Sequence, residues 1–96
     1  MEDKTIADSR YRLGMAYLRD VRLDRERPSM RDVAEVIKKP HSFIGKTENS
    51  NRRLDILEAV DYCKSIGADA HLLIGILQGS DYTIKYPKRG TGALTV

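Results

Sequence analysis

The apolar positions between residues 30 and 49 have the spacing of two short helices separated by a tight turn. In the first, apolar side chains recur at i, i+3, i+4 and i+7, namely Met30, Val33, Ala34 and Ile37. Ser29, with Asp32 three residues later, forms a variant of the capping box, so this helix is predicted to begin at Met30. Pro40 suits the first turn of the next helix because its missing N–H costs nothing there. The pattern predicts a helix-turn-helix.

The second of these helices has two different faces. Ile44 and Thr47 share its inner face. Short or hydrogen-bonding residues occupy the outer face, namely His41, Ser42, Gly45 and Lys46. We expect this outer face to be open to a ligand.

Three further helices complete the predicted fold. A stripe between residues 10 and 26 is broken by Gly14 and ended by Pro28. Asp55 and Glu58 form a capping box for a core helix that Gly67 ends, and Asp69 caps a last helix that ends at Gly79. The core stripe of the helix after Asp55 is predicted to hold Ile56, Ala59, Val60 and Cys63. The sequence therefore predicts an all-α, five-helix domain.

The chain after Gly79 changes character. Tyr82, Ile84 and Tyr86 alternate with polar residues, which is the period of a strand. Two interpretations stay open: a loose tail, favoured by Pro87 and the glycines at 90 and 92, or a short β-strand that pairs with its own copy across a dimer axis. We divide the chain into an N-terminal tail (1–9), a helix-turn-helix domain (10–79) and a C-terminal tail (80–96).

Charge separates the two halves of the domain. The chain has 96 residues and a net charge of +3. Residues 10–53 hold 12 Lys and Arg against 6 Asp and Glu, whereas residues 54–81 hold 1 Lys against 5 acidic residues. A basic half that contains the helix-turn-helix favours contact with nucleic-acid phosphates. No apolar run approaches a membrane span and the N-terminus lacks the shape of a signal peptide, so we expect a cytoplasmic protein without membrane contact.

The residues that could carry catalysis or bind metal favour neither. Cys63 falls on an apolar helix face, which indicates core packing. His41 and His71 lie in different helices and the sequence has no second cysteine, so no zinc spacing is present. Asp20 and Asp24 are predicted to lie on a helix surface, where no pocket would shift a pKa. We expect a protein that is not an enzyme and uses no cofactor.

The spacing of several residues resembles the lambda-repressor/Cro-like (XRE) helix-turn-helix family. The matching residues are Leu18, Arg22, Ser29, Val33, Ala34, Ile37, the run 40–44, Glu48 and the run 52–55. The resemblance implies a recognition helix that contacts bases of double-stranded DNA through His41, Ser42, Gly45 and Lys46, although His41 could instead act as a cap. It also implies a bracing ion pair between Arg22 and Glu48. Lys38 stands where the family usually has Gly at the turn, and Thr47 replaces a bulkier apolar residue.

The same resemblance implies a set of phosphate contacts. They are Ser29, Asn49, Arg52 and Arg53, and Phe43 is grouped with them, either against a DNA sugar or packed on the neighbouring helix.

One recognition helix reads too few base pairs for useful specificity, so we expect a homodimer, with a palindromic operator and a repressor role. The candidates for its interface are Ile74, Leu77, Tyr82, Ile84 and Tyr86. The alternative is an antitoxin-type protein whose tail folds on a protein partner while the helix-turn-helix controls its own promoter. RNA binding is disfavoured because the chain lacks stacking aromatics on a basic sheet.

Overall fold

The computed structural model describes residues 8–24 and 29–86. These residues form five α-helices, so the predicted all-α fold is confirmed: α1 (Ser9–Asp24), α2 (Met30–Ile37), α3 (His41–Glu48), α4 (Ile56–Ile66) and α5 (Ala70–Leu77). Helix α1 packs against α3, α4 and α5, while α2 packs against α3 and α4. The helix-turn-helix is thus held from behind by α1 and α4, and α5 packs on these two helices in turn.

Local capping chemistry sets the helix ends. The Ser29 hydroxyl accepts a hydrogen bond from the Asp32 N–H at 3.2 Å, and the Asp32 carboxylate accepts from the Ser29 N–H at 3.0 Å. Asp55 and Glu58 make the same reciprocal pair at 2.8 and 3.1 Å. Both predicted capping boxes are confirmed. Gly67 ends α4 in the left-handed region, with φ of 74°.

Gly14 interrupts the apolar stripe of α1 because α5 passes close to it. A Cβ atom added at Gly14 would lie 2.9 Å from Leu77 Cδ2 and 3.2 Å from Leu73 Cδ1. The missing side chain therefore permits the close approach of the two helices. Around this contact the core holds fully buried side chains from all five helices, among them Leu18, Val33, Ile44, Tyr62 and Ile76.

The predicted core stripe of α4 is wrong at two of its four residues, Ile56 and Val60. Ile56 is 85% exposed and Val60 is also exposed, whereas Tyr62, Cys63 and Ile66 are buried. The observed stripe has the same helical spacing but begins three residues later, at the half-buried Ala59. Ile56 is the first residue of the helix and extends beyond the part of α4 that its neighbours cover.

Residues 80–86 form no strand. They are an irregular segment, fastened to α1 by hydrogen bonds. Asp20 is only 2% exposed, which corrects its predicted surface position. Its carboxylate accepts hydrogen bonds from the Tyr82 hydroxyl and from the backbone N–H groups of Lys85 and Tyr86, the last at 2.9 Å. The Tyr82 ring also meets the Tyr17 ring edge-on at 5.5 Å. The predicted strand and the predicted loose tail are therefore both wrong for these residues, and Pro87 and the glycines at 90 and 92 lie outside the described residues.

Candidate nucleic-acid interface

The turn between α2 and α3 depends on a left-handed residue. Lys38 has φ of 59° and ψ of 49°, as its position in place of the usual glycine predicted. In this conformation the Lys39 N–H donates to the Ala34 carbonyl at 3.0 Å, which satisfies the end of α2. The backbone then enters α3 at Pro40, whose extended conformation places it as the N-cap, one residue before the helix begins.

The outer face of α3 is clear of the rest of the described chain. His41, Ser42 and Lys46 are exposed. Gly45 is half-buried, yet a Cβ atom added there would meet nothing within 4 Å. The structure therefore brings the four predicted base-reading residues together on one accessible surface.

The inner face of α3 is fixed by a buried ion pair. Arg22 on α1 donates from Nε to Glu48 Oε2 at 2.6 Å and from Nη2 to Oε1 at 2.9 Å. Both side chains are almost completely buried. Burial disfavours the charged guanidinium, but the hydrogen bonds and charge of Glu48 outweigh it and raise the pKa of Arg22. A bidentate pair of this kind fixes orientation as well as distance.

Tyr62 on α4 is a third member of this buried group. Its hydroxyl donates to Glu48 Oε2 at 2.5 Å. Burial, with the adjacent Glu48 charge, raises the pKa of Tyr62 well above that of an exposed tyrosine. Glu48, the last residue of α3, is therefore held from α1 and from α4 at once.

Phe43 is packed rather than presented to a ligand. Its side chain is 7% exposed, and the Arg52 guanidinium lies 4.2 Å from the ring centroid. Lys39 Nζ lies 5.6 Å from the same centroid and 3.2 Å from Glu58 Oε2. The grouping of Phe43 with the phosphate contacts is wrong, because a buried ring without a hydrogen-bond donor serves as a support for cations instead.

The remaining phosphate candidates lie around the two ends of the motif. Ser29 is exposed at the start of α2, and Asn49 caps the end of α3. Arg52 and Arg53 are exposed in the loop that leads to α4. Tyr11 anchors this loop. Its hydroxyl donates to the Arg52 carbonyl at 2.7 Å and accepts from the backbone N–H of Leu54 at 2.9 Å.

Comparison with solved structures identifies the family. An XRE-family like protein from Pseudomonas syringae pv. tomato str. DC3000 is 36% identical to this chain and superposes with a TM-score of 0.67. The match covers 78% of this chain and 90% of that protein. This chain belongs to the XRE family. No protein-family model and no curated protein matches it.

At the family level, this XRE protein is a DNA-binding transcription regulator. None of the helices in residues 8–24 and 29–86 is long and apolar enough to cross a membrane. The same part of the chain contains no group of three His, Cys, Asp or Glu side chains that could hold a metal ion. Cys63 is buried, and burial raises the pKa of its thiol, which makes it a packing residue.

Sequence reasoning missed three residues that support the XRE motif. Tyr62 holds Glu48, Tyr11 holds the loop with the arginines, and Lys39 stacks on the ring of Phe43. Tyr11 lies in the apolar stripe that the sequence predicts between residues 10 and 26, yet its hydroxyl bonds to a residue 41 positions along the chain. A tyrosine on an apolar stripe is the signal that could have found Tyr11 as an anchor, because a buried hydroxyl needs a partner.

Proposed function

We propose that this XRE-family protein is a transcriptional repressor that binds a palindromic operator as a homodimer. The observation that carries the proposal is the outer face of α3, which is accessible on one side and held from behind by the Arg22–Glu48–Tyr62 group. A recognition helix must be presented in a fixed orientation, since hydrogen bonds to base edges tolerate little displacement.

Each side chain on this face has chemistry suited to a base edge. The exposed His41 and Ser42 occupy the first turn of α3, where residues of a recognition helix meet the bases. Lys46 can donate to the O6 and N7 atoms of guanine. Gly45 leaves open space between them, which admits a thymine methyl group at close range. These four residues form the proposed reading surface.

The proposed phosphate contacts flank that surface. Ser29 stands at the N-terminus of α2, where backbone N–H groups and the helix dipole favour an anion. Arg52 and Arg53 provide charge from the loop after α3, with Asn49 between them and the helix. Because Glu58 and Phe43 already hold the Arg52 guanidinium, its position is set before DNA arrives, which lowers the entropic cost of the contact.

The apolar surface on α4 and α5 supports a homodimer. Ile56 is 85% exposed and Ile74 is 53% exposed, and both line an apolar groove of about 160 Å³ between the two helices. Leu77 lies in the same groove. Burying one isoleucine side chain contributes roughly 1.5–3 kcal/mol, so two symmetric copies of this surface would contribute substantially to association.

The predicted interface residues on the tail are less suitable. Tyr82 packs on Tyr17, and the Tyr86 hydroxyl donates to Asp24 at 2.7 Å, so both side chains are engaged within their own chain. Ile84 is exposed. We therefore place the proposed interface on the α4–α5 groove. Within residues 80–86, the alternative of a tail that binds a protein partner gains no support, since these residues already contact α1.

Selection of bound sites from a random duplex pool tests the proposal. We expect an inverted repeat with half-sites about 10–10.5 base pairs apart, or a multiple of that spacing, because two-fold protein symmetry is matched by the DNA. A selected site without two-fold symmetry would contradict the homodimer, and the absence of any preferred site would contradict sequence-specific binding.

Sedimentation of groove variants tests the interface itself. Ile74→Asp should weaken self-association, because it places a charge in the apolar groove. Leu72→Asp is the matched control, since Leu72 is exposed on the same helix but does not line the groove. Equal self-association of wild type and Ile74→Asp, with both folded by circular dichroism, would move the interface elsewhere.

A further inference from the structure

A second cavity is separate from the α4–α5 groove and shares no lining residue with it. It has a volume of about 240 Å³ and is bounded by α1, by the turn after α3 and by the end of the fastened segment 80–86. Its walls are formed by Arg12, Ala16, Arg19, Glu48, Asn49, Ser50, Ile84 and Tyr86. None of these residues except Glu48 and Asn49 has a part in the proposed function.

The cavity presents two guanidinium groups. Arg12 is exposed, and no hydrogen bond or ion pair joins its side chain to any other residue within 8–24 and 29–86. Arg19 donates from Nη1 to the Tyr86 carbonyl at 2.7 Å. Because a guanidinium has five N–H donors, this bond fixes the orientation of Arg19 and leaves other donors for a ligand. The two groups can therefore hold an anion.

The only carboxylate in the wall does not oppose an anion. Both oxygen atoms of Glu48 accept hydrogen bonds, from Arg22 and Tyr62. The positive charge of Arg22 balances the negative charge of Glu48 at short range. Among the residues that form the wall, Arg12 and Arg19 therefore carry the charges that no other wall residue or its partner balances.

The rest of the wall is suited to an apolar group. Ala16, the exposed Ile84 and the ring of Tyr86 supply carbon surface next to the arginines. A small volume with a few charged groups on an apolar lining is the general form of a small-molecule site, although this one lies just below the usual range of ~300–1,000 Å³. The ligand must accordingly be small.

From this geometry we infer that the cavity binds a small organic acid, with its carboxylate on Arg12 and Arg19 and its apolar body against Ala16, Ile84 and Tyr86. Such a ligand touches α1, the fastened segment and the turn that follows the recognition helix. Asn49, a proposed phosphate contact, is part of that turn, so a bound carboxylate adds negative charge beside the expected phosphate path. The acid therefore weakens the binding of DNA, and DNA weakens the binding of the acid by the same factor. This coupling rests on the proposed function, whereas the binding of the acid does not.

Calorimetric titration of the full chain with benzoate and hexanoate tests the site. We expect saturable binding of at least one acid below about 10 mM, weaker binding of inorganic phosphate, and no binding of the neutral amides benzamide and hexanamide. Arg12→Gln should weaken binding of the acid about ten- to a hundredfold, because charge-assisted hydrogen bonds are lost. Arg31→Gln, at an exposed arginine on α2, is the matched control and should bind as wild type.

Ile84→Ser tests the apolar wall separately and should also weaken binding, because it removes carbon surface from the cavity without adding a charge. Ile84 is exposed, so its replacement leaves the core intact. Absence of saturable binding, equal binding of acids and amides, or an unchanged affinity in Arg12→Gln overturns the inference. Equal affinity for phosphate and the acids overturns the role of the apolar wall. An acid that binds without changing the affinity for duplex DNA contradicts the coupling. If the protein selects no duplex, the proposed function fails, and the calorimetric titration still shows whether the cavity binds the acid.

Discussion

Replacement of Lys38 by glycine should stabilise the fold. Lys38 adopts φ of 59° and ψ of 49°, where the Cβ atom of any non-glycine residue crowds the backbone. The side chain is exposed, so its removal takes nothing from the core. The substitution therefore acts almost entirely on backbone strain.

The magnitude follows from opposing contributions. The left-handed conformation costs a non-glycine residue about 1–2 kcal/mol. Relief of this strain by glycine is offset by roughly 0.4–1 kcal/mol, because glycine gains more conformational entropy than lysine when the chain unfolds. The positive charge of Lys38 at the C-terminal end of α2 stabilises the fold by a further ~0.3 kcal/mol, which Lys38→Gly loses. Lys38→Gln loses the same charge but keeps the backbone strain, so it serves as the reference variant. We expect the free energy of unfolding of Lys38→Gly to exceed that of Lys38→Gln by about 0.5–1 kcal/mol, which corresponds to roughly 2–8 °C in Tm.

Urea and thermal unfolding of both variants beside the wild type measure this difference. Lys64→Gly is the positional control, since Lys64 is exposed in the right-handed backbone of α4 and glycine there should destabilise by about 0.5–1 kcal/mol. The reasoning is refuted if Lys38→Gly and Lys64→Gly lower the free energy of unfolding alike.

Three other predictions concern the buried hydroxyl groups. Tyr62→Phe should lower the free energy of unfolding by about 1–3 kcal/mol in urea, because an oxygen of Glu48 loses a donor; an unchanged midpoint would contradict this. In wild type, burial raises the pKa values of Tyr62 and Tyr82, so their contribution to stability should be complete below pH ~10 and should fall above it, where the tyrosines of the unfolded chain ionise. The free energy of unfolding should therefore fall less steeply with rising pH in Tyr82→Phe than in wild type. An identical pH dependence in the two proteins would argue against the raised pKa of Tyr82. Tyr11→Phe should speed hydrogen exchange of the Leu54 amide and weaken binding to all duplexes alike, and unchanged exchange would remove its anchoring role.

Much of the helical part of the fold was readable from the sequence, because local signals determine it. Capping boxes at Ser29 and Asp55 and the glycine after α4 depend on contacts within a few residues. The left-handed turn at Lys38 was predictable because the family pattern places a glycine there. The orientation of α3 followed from the same periodicity, which is why its exposed residues were found together.

Contacts between distant parts of the chain were not readable. Asp20 looked like a surface acid on α1, but residues more than sixty positions later cover it and donate to its carboxylate. Tyr62 was missed because a helical pattern cannot show which buried hydroxyl will meet Glu48. Ile56 fitted the stripe of α4, although only the arrangement of the neighbouring helices decides where that stripe is covered.

The central claim is that the side chains on the outer face of α3 contact base edges, whereas the loop that follows α3 contacts the DNA phosphates. Binding titrations at several salt concentrations, on the selected operator and on a scrambled duplex, test it most directly with His41→Ala, Lys46→Ala and Arg53→Ala. Arg53 is preferable to Arg52, whose loss would also remove its stacking on Phe43.

The two kinds of variant should fail differently. His41→Ala and Lys46→Ala should lose about 1–3 kcal/mol on the operator, change the preferred base at particular positions and leave scrambled binding nearly intact. Arg53→Ala should weaken both duplexes equally and reduce the slope of log affinity against log salt by about one unit. If the His41 and Lys46 variants instead lose operator and scrambled binding to the same extent, this face of α3 does not read the sequence.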